Sequence, residues 1–557
     1  MDQFNALIAS INGLLWHNYV LYTVLAAGLL FTLWSGVSQY RSLTHGVAVL
    51  GGRYKQPDAP GALSHFQALS AALSATVGLG NIGGVAIALA LGGPGAVFWM
   101  WVVGFLGMSL KLAEVTLAML YRNTDDPHNP HGGAMWVIRK ATAEKGGVIA
   151  QAGKLLAVLF CITVLVFAFL GGNMFQAWNA GDISREYFGI PNLATGIILA
   201  TVVGAVILGG INRIGRVAGT LVPLMCGIYI VAGGYVLITN IEAIPATFAL
   251  IFQSAFNPTE ATGAFLGGSV GYAFLWGMKR ALFSSEAGLG SAPMAHAAVQ
   301  TREPEREGIV AGLEPFIDTI IVCTTTALVI LVSGAWNRPA EISLPTTPSF
   351  IKTASGGWQL PATSLPSGSD LSSGDPIFMV AHANHSDDTG NNLVQVTGAV
   401  TTDEEDGQLI LQFEPIKSKK MPMLRDGDVW ANYVGATLTA KAFDSASPGL
   451  GKWMVTLAVW LFAISTMISW SYYGEQAMVY LFGENSVTPY RIVYCILAVV
   501  ACTGFITSTA ELGNFSDLGA GMMLVVNIPI TLLLGHQAMR AYKGYVARLN
   551  RKEFSQS

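Results

Sequence analysis

Three observations predict an all-α polytopic membrane protein that carries a β-rich insert. Charged residues make up 11 % of the 557, hydrophobic ones 52 %, and the mean hydropathy is +0.50, whereas a soluble chain carries about a quarter charged residues. Eleven apolar stretches approach or exceed the ~20 residues that a helix needs to cross a hydrocarbon core. One of them, LSATVGLGNIGGVAIALAL at 73–91, holds four glycines and an Asn, which a lipid-facing helix has no use for.

The eleven spans lie at about 18–39, 66–91, 94–121, 153–178, 192–210, 216–239, 262–283, 308–334, 450–474, 489–509 and 515–536. Segments 131–145, 241–256 and 429–446 are too short or too polar to cross and read as surface or re-entrant helices. The first apolar run lacks a basic leader, so it reads as a retained span and not a cleaved signal. Lys and Arg gather in alternate short loops, as in Arg41, Arg53, Lys55, Arg122, Arg139, Lys140, Arg213, Arg216, Lys279 and Arg280, and in the tail beyond Arg540. The positive-inside rule then predicts the N-terminus outside and the C-terminus in the cytoplasm, in a cell (inner or plasma) membrane.

The stretch 337–428 differs in kind, being rich in Ser, Asp, Gly and Pro. Its alternating runs NLVQVTGAV and GQLILQFEPI predict strands, and the topology places it outside. Its acidic runs DDTG and TTDEEDG read as solvated turns, and His382 and His385 as loop residues. All five cysteines fall in apolar runs, where a free thiol behaves as a small buried hydrophobe. The net charge of -4 comes without a basic tract, so no nucleic-acid partner is expected; no obligatory protein partner is evident.

Within hydrocarbon, backbone polar groups must pair internally, so a broken helix is tolerated only where it lines a protein cavity. The break exposes carbonyls and amides at membrane depth, suited to a small ion and a zwitterion. A second glycine-broken stretch, GAFLGGSVGYAFLWG at 263–277, begins the seventh span, five spans after the first and running the opposite way. Such a pair points to a midplane binding site between two inverted halves. Gly83 and Gly84 are as well explained by close helix packing. Ser465 and Thr466 lie well inside the ninth span; they either back-bond to their own helix or offer oxygens to a monovalent cation. Gln176 closes the fourth span with an amide able to meet both ends of a zwitterion. Lys111 and Glu114, three apart on one helix face, are expected to pair. Asp318 and Glu286 read as packing or gating groups toward the cytoplasmic side, with a proton relay as the alternative, none of the charged groups sitting beside both breaks. No nucleophile elbow, P-loop or metal-ligand cluster is present, so an enzyme is not expected.

The run GGPGAVFWMWVVGFLG at 92–107 closely resembles the signature of the alanine or glycine:cation symporter family, also called sodium:alanine symporters. LSATVGLGNIGGVA, LFSSEAGLGSAPMAHAA at 282–298 and LFAISTMISWSYYGE at 461–475 are similar to it too, and the resemblance spans the chain apart from the insert. It implies a leucine-transporter-type five-plus-five inverted repeat with one extra N-terminal helix, and sodium-driven uptake of alanine or glycine. Carried over by position, Ser74 and Val77 supply carbonyls and Ser465 and Thr466 hydroxyls to Na+. Thr76, Gly78, Gly80 and Asn81 meet the amino acid, Gln176 takes the polar position of the third core helix, and Gly268 with Ser269 the break in the sixth. The chain departs from the family at Gly104, a small-residue change, and in the size of the insert.

The expected division is 1–65 for the extra helix and linker and 66–336 for core helices one to seven. The insert takes 337–428, the outer-gate helix and the last three core helices 429–536, and the cytoplasmic tail 537–557. The expected function is sodium-coupled symport of alanine or glycine. A proton-coupled symporter is disfavoured for want of a carboxylate at the site, and an external sensor built on the insert is disfavoured by the intact breaks and hydroxyl pair.

Overall fold

The computed structural model describes residues 2–554 except 355, 367, 385–389, 404–406, 434 and 505–508. His385, most of DDTG and the centre of TTDEEDG therefore lie outside the described residues. In chain order the helices are α1 (Asp2–Leu15), α2 (Asn18–Ser35), α3 (His65–Thr76), α4 (Val85–Gly92), α5 (Gly95–Tyr121) and α6 (Ala134–Ala143). There follow α7 (Gly147–Phe169), α8 (Phe175–Phe188), α9 (Asn192–Ile207), α10 (Gly210–Thr239), α11 (Ile244–Phe256), α12 (Val270–Ser285) and α13 (Pro293–His296). The rest are α14 (Pro304–Ala311), α15 (Thr324–Val332), α16 (Ala436–Asp444), α17 (Leu450–Phe482), α18 (Val487–Ala501) and α19 (Thr509–Asn550). The chain is a mostly helical, multi-pass membrane protein with a β-rich insert. The predicted spans fall on helix among the described residues, except that 262–283 is helical only from Val270, and the three segments judged too short to cross hold α6, α11 and α16.

The first break behaves as its glycines require. Ser64 caps α3 through a reciprocal capping box with Gln67. Regular hydrogen bonding then stops at Val77, whose N–H reaches Leu73 O while its own φ and ψ, -76 and 96, are extended. A π-helical turn, Gly80–Gly84, restarts the chain into α4, and the two halves are bent by 55°.

The second break lies elsewhere than predicted. Residues 263–269 are not a broken helix; Gly263 and Gly267 have positive φ in an irregular loop, and Gly268 pairs with Thr259 in an isolated antiparallel bridge. The helix α12 starts only at Val270 and runs unbroken to Ser285. It ends at Glu286, a left-handed non-glycine residue (φ 52), followed by Gly288 (φ 94) and Gly290 (φ 76) before α13. The opening of the quoted motif LFSSEAGLGSAPMAHAA is thus the true interruption, facing the first one.

The insert forms an antiparallel sheet of β1 (Ile342–Ser343), β4 (Thr363–Ser364), β5 (Pro376–His382), β6 (Leu393–Thr402), β7 (Leu409–Phe413), β8 (Met423–Leu424) and β9 (Asp428–Ala431), ordered β1-β9-β5-β6-β7-β4, with β8 also on β5. A separate hairpin joins β2 (Ile351–Lys352) to β3 (Trp358–Gln359). Alternate residues of a strand face opposite sides, and β5 buries both. Ile377, Met379 and Ala381 fill the insert's own core, while Phe378 and Val380 join Trp430, Ala264 and Leu266 in a cluster against the loop before α12. Arg425 Nη2 donates to Gly263 O at 2.9 Å and Asn391 Nδ2 to Leu266 O at 2.8 Å, fixing the sheet to that loop. Beyond the sheet, α16 lies on the first break: Thr439 Oγ1 donates to Ile82 O at 3.3 Å, and a Cβ on Gly83 would stand 3.2 Å from Ala436 N. Gly83 is therefore a packing glycine.

Candidate functional site

Where α3 stops, the Gly78 amide turns away from the helix and donates to Asn81 Oδ1 at 2.8 Å. The Ser74 carbonyl thereby loses the amide that a continuing helix would give it. The span α17 passes the same point: Ser74 Oγ donates to Ser465 O at 2.6 Å, and an added Cβ on Gly78 would meet Thr466 Oγ1 at 2.8 Å. Glycine is needed at 78 because the Thr466 hydroxyl occupies the space. Ser465 and Thr466 are buried; Ser465 Oγ back-bonds to Phe462 O at 2.9 Å, whereas Thr466 Oγ1 has no hydrogen-bond partner among the described residues. Leaving a buried hydroxyl unsatisfied costs about 1–3 kcal/mol. A buried hydroxyl without a partner at a helix break, where the Gly78 amide has left the helix ladder, is the oxygen-only environment that a hard monovalent cation takes.

The expected solute positions are less uniform. Gly80 opens toward Phe283, whose ring would lie 3.5 Å from an added Cβ. Phe283, Phe167 and Trp470 form an aromatic run beside it, with centroids 6.2 and 4.2 Å apart. Thr76 Oγ1 turns back on Ala72 O and Leu73 O at 3.3 and 3.4 Å. Gln176 donates to Gly171 O at 3.1 Å, leaving its buried Oε1 without a partner among the described residues. The Asn81 amide is committed to the protein on both sides, through Gly78 and through Ser284 Oγ at 3.0 Å and the Asp318 carboxylate. Gly268 and Ser269 are not brought here. The whole of α12, sixteen residues or about 24 Å of rise, separates them from the second break.

Two charged-group expectations are corrected. Lys111 pairs not with Glu114 but with Glu314, at 2.9 Å, both fully buried. Glu114 instead accepts from Asn527 Nδ2 and from the Gly288 amide, which fixes the second break from behind. Glu314 continues to His296 Nε2 at 2.5 Å, and His296 Nδ1 to Glu307, which also holds His65 at the start of α3. Burial works against charge on His296, but the Glu307 and Glu314 carboxylates overcome it and raise its pKa to about 9. The second correction is Asp318: it touches Asn81 of the first break and Ser284, the penultimate residue of α12, so a carboxylate does sit between the breaks. Sequence reasoning missed Ser284, Phe283 and Trp470, and read Glu286 as a packing or gating group without seeing that it forms the second break. The signal was present in SSEAGLG, whose glycines follow an apolar run as those of VGLGN do.

A helix unwound at membrane depth, with spare oxygens turned to a hydroxyl-bearing neighbour, defines an ion-coupled secondary transporter. The chain belongs to the sodium:alanine symporter family, whose sequence profile matches residues 1–364 and 421–556; the centre of the insert falls outside the match. It is 34 % identical over 543 residues to the sodium/alanine symporter AgcS of Methanococcus maripaludis, covering 98 % of this chain and 97 % of that one. It is 31 % identical to the putative sodium/proton-dependent alanine carrier protein YrbD of Bacillus subtilis, covering 97 % and 92 %. Among solved structures, MhsT in complex with L-phenylalanine aligns at TM-score 0.47 and 15 % identity, covering 85 % of this chain and 89 % of that one. The chain is a cation-coupled amino-acid symporter.

Proposed function

We propose that the transported ion is Na+ and the solute alanine or glycine, imported across the cell (inner or plasma) membrane by alternating access. The observation that carries this reading is the Thr466 hydroxyl, buried against Gly78 at the first break without a hydrogen-bond partner among the described residues. In this reading Ser74 and Val77 present carbonyls and Ser465 and Thr466 hydroxyls to the ion. Gly80 offers its amide to the carboxylate while the Gly78 amide stays on Asn81, and the aromatic wall of Phe283, Phe167 and Trp470 limits the side chain to a small one. Ion binding favours one arrangement of the breaks over the other, and that difference in affinity is what couples ion to solute. The N-terminus lies outside, so the insert is external and reaches the core both through the loop 263–269 and through α16.

Proteoliposomes with an inward sodium gradient accumulate radiolabelled alanine or glycine, and a competition panel ranks the two. Equal uptake in potassium-only buffer refutes the sodium assignment.

A further inference from the structure

Asp318 lies in the first turn of the π-helical segment Phe316–Cys323 between α14 and α15, and it is completely buried. Short π-helical pieces are frequent at functional sites. Its Oδ2 accepts from Ser284 Oγ at 2.6 Å and Thr319 Oγ1 at 2.9 Å, and its Oδ1 from Asn81 Nδ2. Through Asn81 the contact reaches the Gly78 amide at 2.8 Å, and through Ser284 it reaches the last turn of α12, just before Glu286 begins the second break. One carboxyl therefore ties both interruptions together.

Among the described residues no basic side chain pairs with it. From α5, Lys111 is held by Glu314, one turn before Asp318 on its own helix. From α12, Arg280 faces the Trp276 ring and the Asp517 carboxylate, and Glu286 bonds Ser291 and Trp470. The remaining titratable neighbours are the thiols of Cys323, on the π-helical segment, and Cys226, on α10. A carboxylate without a counter-charge is costly in a protein interior and more so at membrane depth, so Asp318 needs a positive charge of its own. The hydroxyls of Ser284 and Thr319 both donate to one carboxyl oxygen, so the group is held by neutral donors and not by a counter-charge. Either hydroxyl can turn from donating to accepting.

We propose that Asp318 is a proton-binding site, separate from the cation site at Thr466. It is protonated while the two breaks are held together and gives its proton up when they part. The proton comes from water on one side of the membrane and leaves to water on the other, so it accompanies the transport cycle. The proposal rests on the function proposed above only in requiring that the breaks move during transport.

Infrared spectra of the reconstituted full chain test it without any substrate. A protonated carboxyl C=O band that moves in D2O is expected in the wild type and is lost in Asp318→Asn. Ser284→Ala, which keeps the carboxyl and removes one partner, shifts that band; this variant decides the matter should D318N fail to insert. A wild-type spectrum without the band, or one in which neither variant alters it, overturns the proposal. In proteoliposomes holding a pH dye at clamped potential, adding alanine and sodium changes the lumenal pH, and D318N falls to the level of protein-free vesicles. Sodium-driven alanine uptake with no lumenal pH change also overturns it. Uptake absent from the wild type refutes the sodium-alanine reading alone, and the infrared band still decides Asp318. A steeper sodium dependence in the wild type than in D318N, with no carboxyl band, would assign the site to sodium instead.

Discussion

Replacing Thr466 by Val removes one oxygen and keeps the shape of the side chain, which makes it the sharpest probe of the ion site. The hydroxyl has no hydrogen-bond partner among the described residues, so its removal breaks nothing in the ion-free protein and relieves a burial cost of about 1–3 kcal/mol. With the ion bound it is a ligand, and a polar contact to a charge contributes about 1.5–3 kcal/mol. The expected result is a sodium affinity weaker by about ten- to a hundredfold, at about 1.4 kcal/mol per decade. Stability gives a second measure. At sodium about 100 times the dissociation constant, binding adds about 2.7 kcal/mol, and a tenfold loss of affinity removes roughly half of that. Thermal unfolding of detergent-solubilised wild type and T466V, in choline and then in rising sodium, reads both effects in one assay. The variant should match or exceed the wild type in choline and fall below it in sodium. A variant that is less stable in choline, or whose sodium response equals the wild type's, refutes the assignment of this hydroxyl to the ion.

Gly78→Ala places a methyl carbon 2.8 Å from Thr466 Oγ1; overpacking of this kind costs about 1–3 kcal/mol, and the sodium concentration for half-maximal uptake should rise about tenfold or more. Glu314→Gln leaves Lys111 buried without its partner, which should lower stability by about 3–5 kcal/mol; the double variant with Lys111→Met should recover most of it, as read from the unfolding midpoint. His45 lies in the linker between α2 and α3, and its pKa is pushed down to about 4 by burial, then by Arg306 and Arg41. Below about pH 6.5 the unfolded chain therefore binds a proton that the folded ring refuses, and stability falls as pH drops towards 4; His45→Gln should flatten that slope in a pH series of melts.

What could be read from the sequence was whatever leaves a mark within one helix. Apolar length marked the spans, and glycines flanking Asn81 marked the first break. Adjacent hydroxyls at 465 and 466 marked the partner helix, whose proximity to Ser74 the structure shows at 2.6 Å. The second break was misplaced because glycine count was taken as the sign of an interruption. Gly263, Gly267 and Gly268 instead let a loop carry the insert, while the real interruption turns on Glu286, a residue type that seldom adopts positive φ. Ion-pair partners were unreadable for a related reason. Lys111 and Glu114 are neighbours along a helix face, yet Lys111 pairs with Glu314, about two hundred positions away, because the tertiary fold brings that carboxylate to it while Asn527 and the Gly288 amide take Glu114.

The two breaks are built by opposite means, and this bears on which of them moves. The first is made of glycines and holds no strained residue; Asn81 bonds the Gly78 amide, Ser284 and Asp318, and the Thr326 and Thr439 hydroxyls reach the Asn81 and Ile82 carbonyls. The second is pinned from several directions. Glu286 accepts from Trp470 Nε1 at 3.2 Å and from Ser291 Oγ at 2.5 Å, and Glu114 and Asn527 grip the Gly288 amide and carbonyl. Holding a non-glycine residue in a left-handed conformation costs about 1–3 kcal/mol, and that cost is met only while those bonds are intact. The first break is therefore the compliant one, with the α3 half joined to α14 by His65 and Glu307. Removing that tie with His65→Ala should speed opening of the α3 end, measured as faster modification of a cysteine placed at Ala72, while the same probe at Ala292 stays unchanged. Equal acceleration at both positions would mean that the breaks move as one body.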